Sequence, residues 1–489
     1  MTVPDYVRHG LADSPETAIE DVPVTGVLPE WLEGSLLRNG PGSFQVGEQR
    51  YRHWFDGLAM LHRFTFAGGK VSYANRFLET RAYAAARDEG RIAYSEFATD
   101  PCRSLFARAM AVFDPQVTDS AKVNIARIAD RFLALAETPI QVRFDPETLE
   151  TVGVTRWDRS DFGRMTTVHP QIDDSRQEAI NLVTRFGASS TYVLRHVDTS
   201  DPDHPRARDL ATKRVGEPSY IHSFGMSERY LIVVEYPLVV NPLSLLLWLK
   251  PYIENFRWKP ELGARFHVFD RETGARVRSV TTEAFFGFHH VNAFDDGGDV
   301  VVDIVGYDDA SVIEAFYLHR LEEPDSSIPA GTLRRFRVPL VDSGDSPVEV
   351  ETLSETPIEL PSLDYARMNT RPDHHCVYGV SLTGERGFYD QLVKIDTRSR
   401  ETSMWKEGGC YPGEGVFVGR PGRDAEDDGV VLSVVLEGAR GTSFLLVLDA
   451  QTFTEVARAQ LPHPVLLGYH GQFFGDVGTS AASVPPDQV

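Results

Sequence analysis

The sequence predicts an all-β chain wound as a propeller. Three observations predict it: short β-rich runs recur from end to end, long helical periodicity is scarce, and one turn motif returns four times. The runs include RFLALAE (131–137), RYLIVVEY (229–236), DVVVDIVGY (299–307) and GVVLSVVL (429–436). β-Branched residues dominate them, and Gly, Pro, Asp or Asn bounds each one, the composition of strands between turns. The turn motif is Phe144-Asp145-Pro146-Glu147-Thr148, with copies at Phe269-Asp270-Arg271-Glu272-Thr273, Ile395-Asp396-Thr397-Arg398-Ser399 and Leu448-Asp449-Ala450-Gln451-Thr452. Each copy reads as strand, Asp-started turn, strand, because the Asp carboxylate can bond its own backbone two residues on. Propellers place such a hairpin at the outer edge of a blade. Successive Asp residues lie 125, 126 and 53 positions apart, so loops of unequal length intervene. Four unrelated hairpins remain the alternative at this point.

Two segments break the strand pattern. Residues 104–113 read as a short amphipathic helix. Residues 238–249 (LVVNPLSLLLWL) are very apolar but carry Asn241 and Pro242, and Lys250, Tyr252 and Trp258 follow. Either segment could dip into a membrane surface or form a buried helix.

At 489 residues the chain is long enough for about three average domains, but radial β folds run long as one unit, so 1–489 is expected to form one domain. With 28 Phe and 17 Tyr it can bury a large core and still line an apolar cavity. The net charge of -22 opposes nucleic acid as a partner, since phosphate binding needs a basic surface. Only seven of the 49 basic residues are Lys, a balance that suits solubility at high salt, where screening weakens self-repulsion. Cys102, Cys376 and Cys410 show no zinc spacing and cannot all pair, so a reducing, cytoplasmic setting is expected. The start, MTVPDYVRHG, has no apolar core of a secretory signal. No run of about 18 apolar residues offers a membrane-spanning helix.

Fifteen histidines are present, and four have distinctive settings. They are His169 in Thr167-Val168-His169-Pro170, His222 in Tyr220-Ile221-His222-Ser223-Phe224, His289 in Phe288-His289-His290-Val291-Asn292, and His470 in Gly468-Tyr469-His470-Gly471. Each lies among aromatic or β-branched residues beside a strand run. Their spacing excludes a local zinc finger, whose ligands crowd into a short stretch. Spread ligands fit a radial fold in which several blades each send one residue to the axis.

These motifs resemble the carotenoid cleavage oxygenases across nearly the whole chain. Gly34-Ser35-Leu36-Leu37-Arg38-Asn39-Gly40-Pro41-Gly42 and His53-Trp54-Phe55-Asp56-Gly57 share the resemblance. It implies a seven-bladed β-propeller with long loops and a few short helices capping one face. It implies Fe(2+) held by His169, His222, His289 and His470. It also implies that Glu137, Glu359 and Glu414 stand behind His222, His289 and His470, leaving His169 without a carboxylate. Of the adjacent pair, the family pattern picks His289 over His290, and neighbouring strand residues do face opposite ways. Such a site would use O2 to cut a double bond of a carotenoid or retinoid.

Asp100-Pro101-Cys102-Arg103 and Pro218-Ser219-Tyr220-Ile221-His222 resemble the animal branch. That branch implies cleavage of β-carotene at its central 15,15′ bond to give retinal. Eccentric or apocarotenoid cleavage, and non-oxidative retinoid isomerohydrolysis on the same iron, are the alternatives. It also implies a peripheral membrane contact through 102–113 and 238–258. Oligomeric state is not legible.

Overall fold

The computed structural model describes residues 3–100, 118–155, 164–187, 189–246, 250–341, 347–384 and 386–478. Among these residues the strands form nine sheets, two of them two-stranded ribbons. The remaining seven are antiparallel, with four to six strands each, and they are the blades of a propeller. Blade two is the plainest: Asn124–Ile128, Arg131–Leu135, Gln141–Phe144 and Thr151–Thr155 follow one another outward. Blade three runs from Arg164–Thr166 to Arg206–Val215, and blade four from Gly225–Met226 to Arg276–Thr282. Blade five runs from His290–Asp296 to Glu349–Ser354, and blade six from Glu359–Ser362 to Thr402–Trp405. Blade seven spans Cys410–Pro412 to Glu455–Gln460.

Both chain ends close the ring. Blade one takes Thr17–Ile19, Gly34–Ser43, Leu58–Ala67 and Lys70–Phe77 from the beginning of the chain, and Gly471–Phe474 from its end. Ser35 pairs with Phe474 in that seam. The early strand Val24–Gly26 crosses to blade seven, where Val24 pairs with Ala459. Pairing the ends across the circle protects the edges at which the ring would otherwise open.

The strand composition explains the stacking. Asp299–Gly306 (DVVVDIVG) is buried along nearly its whole length, because blades cover both of its faces. A strand covered on two sides loses polar alternation and becomes a run of Val and Ile. The four Asp turns all join the third and fourth strands of a blade, in blades two, four, six and seven. In each, one Asp oxygen accepts two backbone N–H groups, as Asp270 does from Glu272 at 3.2 Å and Thr273 at 2.8 Å. The turn ends in a left-handed residue, Gly274 in blade four but Leu149, Arg400 and Phe453 in the others.

The helices are short. Arg81–Glu89 was not anticipated, although its sequence carries the signals of a helix. Thr80 caps its first turn by accepting the Tyr83 N–H, Ala residues fill it, and Gly90 ends it at φ 63°. The apolar segment near 240 is partly corrected. Leu238–Val240 is a buried strand paired with Phe256–Trp258, and Pro242–Leu246 is helical. Asn241 and Pro242 stop the strand and start the helix, where a proline without N–H is tolerated. The predicted helix at 104–113 lies outside the described residues, as does Cys102. Cys376 and Cys410 are buried free thiols. No helix among the described residues is long and apolar enough to cross a membrane.

Candidate metal centre

Each of the four histidines sits where a blade begins. His222 precedes Gly225–Met226, His289 adjoins His290–Asp296, and His470 adjoins Gly471–Phe474. His169 lies between Arg164–Thr166 and Gln171–Asp173. These strands are the terminal strands of blades four, five, one and three, apart from Gln171–Asp173, which flanks blade three. Residues up to 301 positions apart thereby meet: the ligand-type nitrogens of all four imidazoles lie within 4.8 Å of one another. His289 Nε2 and His470 Nε2 are 3.3 Å apart.

Three rings are aimed from behind. His222 Nδ1 lies 2.9 Å from Glu137 Oε1, His289 Nδ1 lies 2.6 Å from Glu359 Oε2, and His470 Nδ1 lies 2.9 Å from Glu414 Oε1. A carboxylate can only accept here, so Nδ1 carries the proton and Nε2 presents its lone pair to the centre. The carboxylates are held in turn. Tyr220 Oη donates to Glu137. Glu359 accepts from Tyr307 Oη at 2.8 Å and from the Leu360 N–H at 2.7 Å, and Glu414 accepts from the Gly471 N–H at 2.8 Å. Sequence reading missed Tyr220 and Tyr307 in these roles; nothing local distinguishes them from core tyrosines. Leu360 sits at φ 47°, a left-handed value that a leucine adopts only under constraint, directly beside Glu359.

His169 differs. Its Nδ1 has only a long 3.4 Å contact with the Asn124 amide, and its Nε2 is buried without a hydrogen-bond partner among the described residues. A buried ring nitrogen without a partner is costly unless something occupies it. Burial, with the other three imidazoles adding to it, pushes His169 well below the usual histidine range, so it stays neutral. Burial also lowers His289, against the pull of Glu359. Burial raises Glu359, but His289 and the hydrogen bonds outweigh it and leave a carboxylate below its ordinary range. Imidazoles backed by carboxylates suit a divalent cation. A metal–imidazole bond of about 2.1 Å puts two such nitrogens about 3 Å apart at right angles and about 4.2 Å apart when opposed. The observed spread fits that shell.

His290 faces away, bonded to Ser223 Oγ at 2.9 Å, and burial lowers it to about 3. His375, Cys376 and Glu426 also gather. That carboxylate is committed to the backbone N–H groups of His375 and Cys376, and burial pushes the thiol up to about 12, so no thiolate is on offer.

The imidazoles of His222, His289 and His470 line a largely apolar cavity. Trp54, Phe55, Phe97, Phe288, Phe316 and Tyr469 form much of its wall. Tyr252 and Asn255 also line it, as do Leu245 and the exposed Lys250.

A seven-bladed propeller that gathers four imidazoles beside an aromatic cavity defines a narrow class. The chain belongs to the RPE65 and carotenoid oxygenase family: residues 11–475 match the family described as retinal pigment epithelial membrane protein. It is 34% identical over 527 residues to the mitochondrial carotenoid-cleaving dioxygenase of Macaca fascicularis, covering 94% of this chain and 93% of that one. It is 32% identical over 518 residues to the β,β-carotene 15,15′-dioxygenase of Mus musculus, covering 95% and 90%. A variant of the Synechocystis apocarotenoid oxygenase superposes with a TM-score of 0.85 at 26% identity, over 96% of this chain and 98% of that one.

Proposed function

We propose that this chain, acting as one domain over 1–489, is a non-haem iron(II) dioxygenase that cleaves a carotenoid double bond. The substrate we favour is β-carotene, cut at the central 15,15′ bond. One alkene and one O2 then give two aldehydes, here two molecules of retinal, with both oxygen atoms retained in product. The observation that carries this reading is the convergence of four imidazoles, three of them backed by carboxylates, beside an aromatic cavity.

His169, His222, His289 and His470 would hold Fe(2+), and Glu137, Glu359 and Glu414 would fix the tautomers and return negative charge to a buried cation. Bound ferrous iron supplies the redox chemistry that lets ground-state O2 react with a carbon–carbon double bond. The chain's own task is placement. Adjacent double bonds of a polyene differ little in reactivity, so the wall must fix which one stands over the imidazoles. Flat rings such as Phe55, with its centroid 5.3 Å from that of Phe97 and 5.6 Å from that of Phe288, offer a polyene faces and edges along its length. They also keep water from the reacting carbons.

The relatives support this reading: the macaque protein is named a carotenoid-cleaving dioxygenase and the mouse protein a β,β-carotene 15,15′-dioxygenase. Leu243 is 60% exposed, close in sequence to the cavity residues Leu245 and Lys250. An apolar residue and a cation beside the lining suit a mouth resting on a membrane surface, from which a water-insoluble pigment could enter directly.

The test is aerobic incubation of iron-loaded protein with β-carotene, followed by mass spectrometry of the products. Retinal and bleaching of the polyene band are expected. Failure on every carotenoid, apocarotenoid and stilbene offered would overturn the reading, as would full activity with stoichiometric zinc. Turnover of retinyl esters under argon would move it to an isomerohydrolase.

A further inference from the structure

The cavity wall is not wholly apolar. One of the chain's seven lysines, Lys122, lines it, and so does Glu96. Lys122 Nζ donates to Glu96 Oε2 at 2.6 Å, with both side chains almost fully buried. The second oxygen of Glu96 accepts from Thr118 Oγ1 at 2.7 Å. An ammonium has three N–H donors, and among the described residues Lys122 gives only this one side-chain hydrogen bond. A second polar group in the lining is also unspent: Thr138 Oγ1 is buried with no partner among the described residues.

Both groups belong to the inner hairpin of blade two. Asn124 pairs with Leu135, and the Val123 N–H donates to the Leu135 carbonyl at 2.9 Å, so Lys122 and Thr138 sit at the same end of that hairpin. This is the end that touches the centre, since the His470 N–H reaches the Val123 carbonyl and Glu137 adjoins Thr138. A pure hydrocarbon gains nothing from such an end. A buried ion pair is often no better than apolar side chains of the same volume, so packing alone does not call for one here.

We propose that Lys122, set by Glu96 and assisted by Thr138, is a specificity-determining site for an oxygen atom on the substrate, so that the cavity favours carotenoids or apocarotenoids carrying a hydroxyl or carbonyl group. The proposal rests on the carotenoid-cleaving reading and, within it, puts oxygen-bearing pigments ahead of β-carotene itself. The spare ammonium hydrogens donate to that oxygen, and the Thr138 hydroxyl donates to it or accepts from it. An unsubstituted ring leaves these donors unsatisfied in a dry cavity, and that penalty is the source of discrimination.

The experiment compares kcat/KM of the iron-loaded protein for β-carotene, zeaxanthin (the same polyene with a hydroxyl on each ring) and β-apo-8′-carotenal. A preference of about tenfold or more for either oxygen-bearing pigment is expected, the scale of one hydrogen bond to a charged group. The paired variant Lys122→Met/Glu96→Gln removes both charges; it should erase the preference, bringing the three kcat/KM values to within about threefold of one another. Equal or reversed preference in the unaltered protein overturns the proposal, and so does a parallel loss on all three pigments in the variant. Tryptophan-fluorescence quenching by the same pigments is measured on the purified protein beside the rates. If no pigment is cleaved, the carotenoid-cleaving reading fails, and tighter binding of the oxygen-bearing pigments still decides for the subsite while equal binding decides against it.

Discussion

The two ends of a blade are built on different principles. At the outer end of blade four, Asp270 folds its own turn by accepting N–H groups two and three residues ahead. At the inner end of blade five, His289 depends on Glu359, 70 residues later, and meets His470, 181 residues later. Outer turns are local solutions that any blade can repeat. The inner ends work only as a set, because no single imidazole there makes a site. Damage at the outer end should therefore read out as stability, and damage at the inner end as metal content and rate.

Removing an imidazole separates the two ends most sharply. His289→Ala should abolish detectable cleavage and strip the metal, a loss beyond the ~10- to 100-fold expected when a carboxylate behind a ligand is removed. Metal analysis and circular dichroism together check it: metal content falls while the β-sheet signal remains.

Next comes a buried ion cluster away from the centre. Asp303 is fully buried and holds Arg335 through bonds of 2.7 and 2.8 Å and His374 at 2.9 Å, tying blade five to the connection between the first two strands of blade six. Asp303→Ala leaves the partly buried Arg335 without this carboxylate and should destabilise by about 2 to 3 kcal/mol, while protein that remains folded keeps its full metal content. Burial pushes Asp303 upward, yet Arg335 and His374 outweigh it and hold the carboxyl below the usual carboxylate range. Its contribution is therefore complete above the unfolded value of about 3.9 and is lost as pH falls through the lower folded value. In urea unfolding, the gap between the unaltered protein and Asp303→Asn should narrow only below about pH 4.

Glu359→Gln keeps the shape behind His289 but removes the charge. Metal affinity or rate should fall ~10- to 100-fold, with a smaller change in unfolding midpoint than Asp303→Ala gives. The smallest effect is expected at the rim. Asp270→Ala should lower stability by about 1 kcal/mol and leave metal content and rate unchanged. A rim substitution that altered metal content would break the division between the two ends.

Much of the fold was legible because its signals are short-range. The alternation of β-branched runs with Asp, Gly and Pro located the strands, and the Asp turns marked four of the seven outer hairpins. The segment at 238–249 read as one apolar unit because a buried strand followed by a helical turn has the same composition as a single helix. Thr80, the alanines and Gly90 did announce the helix Arg81–Glu89, and the dominance of strand signals obscured it. The histidines were singled out by their surroundings, but spacing alone left a shared site a weak expectation; the family resemblance united them. The Lys122–Glu96 pair was invisible, since neither residue sits in a motif and their meeting depends on how blade two packs against the loop before residue 100.

The sequence by itself determined which stretches become strands, which turns close on their own side chains, and which imidazoles stand beside strands. These depend on interactions within a few residues, and such interactions are written in order along the chain. Only the tertiary structure decided that four of those imidazoles share one centre, which tyrosines hold the carboxylates behind them, and where a charge enters an aromatic cavity. Those outcomes arise from closing a ring, and closure brings together residues whose separation in sequence carries no record of their distance in space.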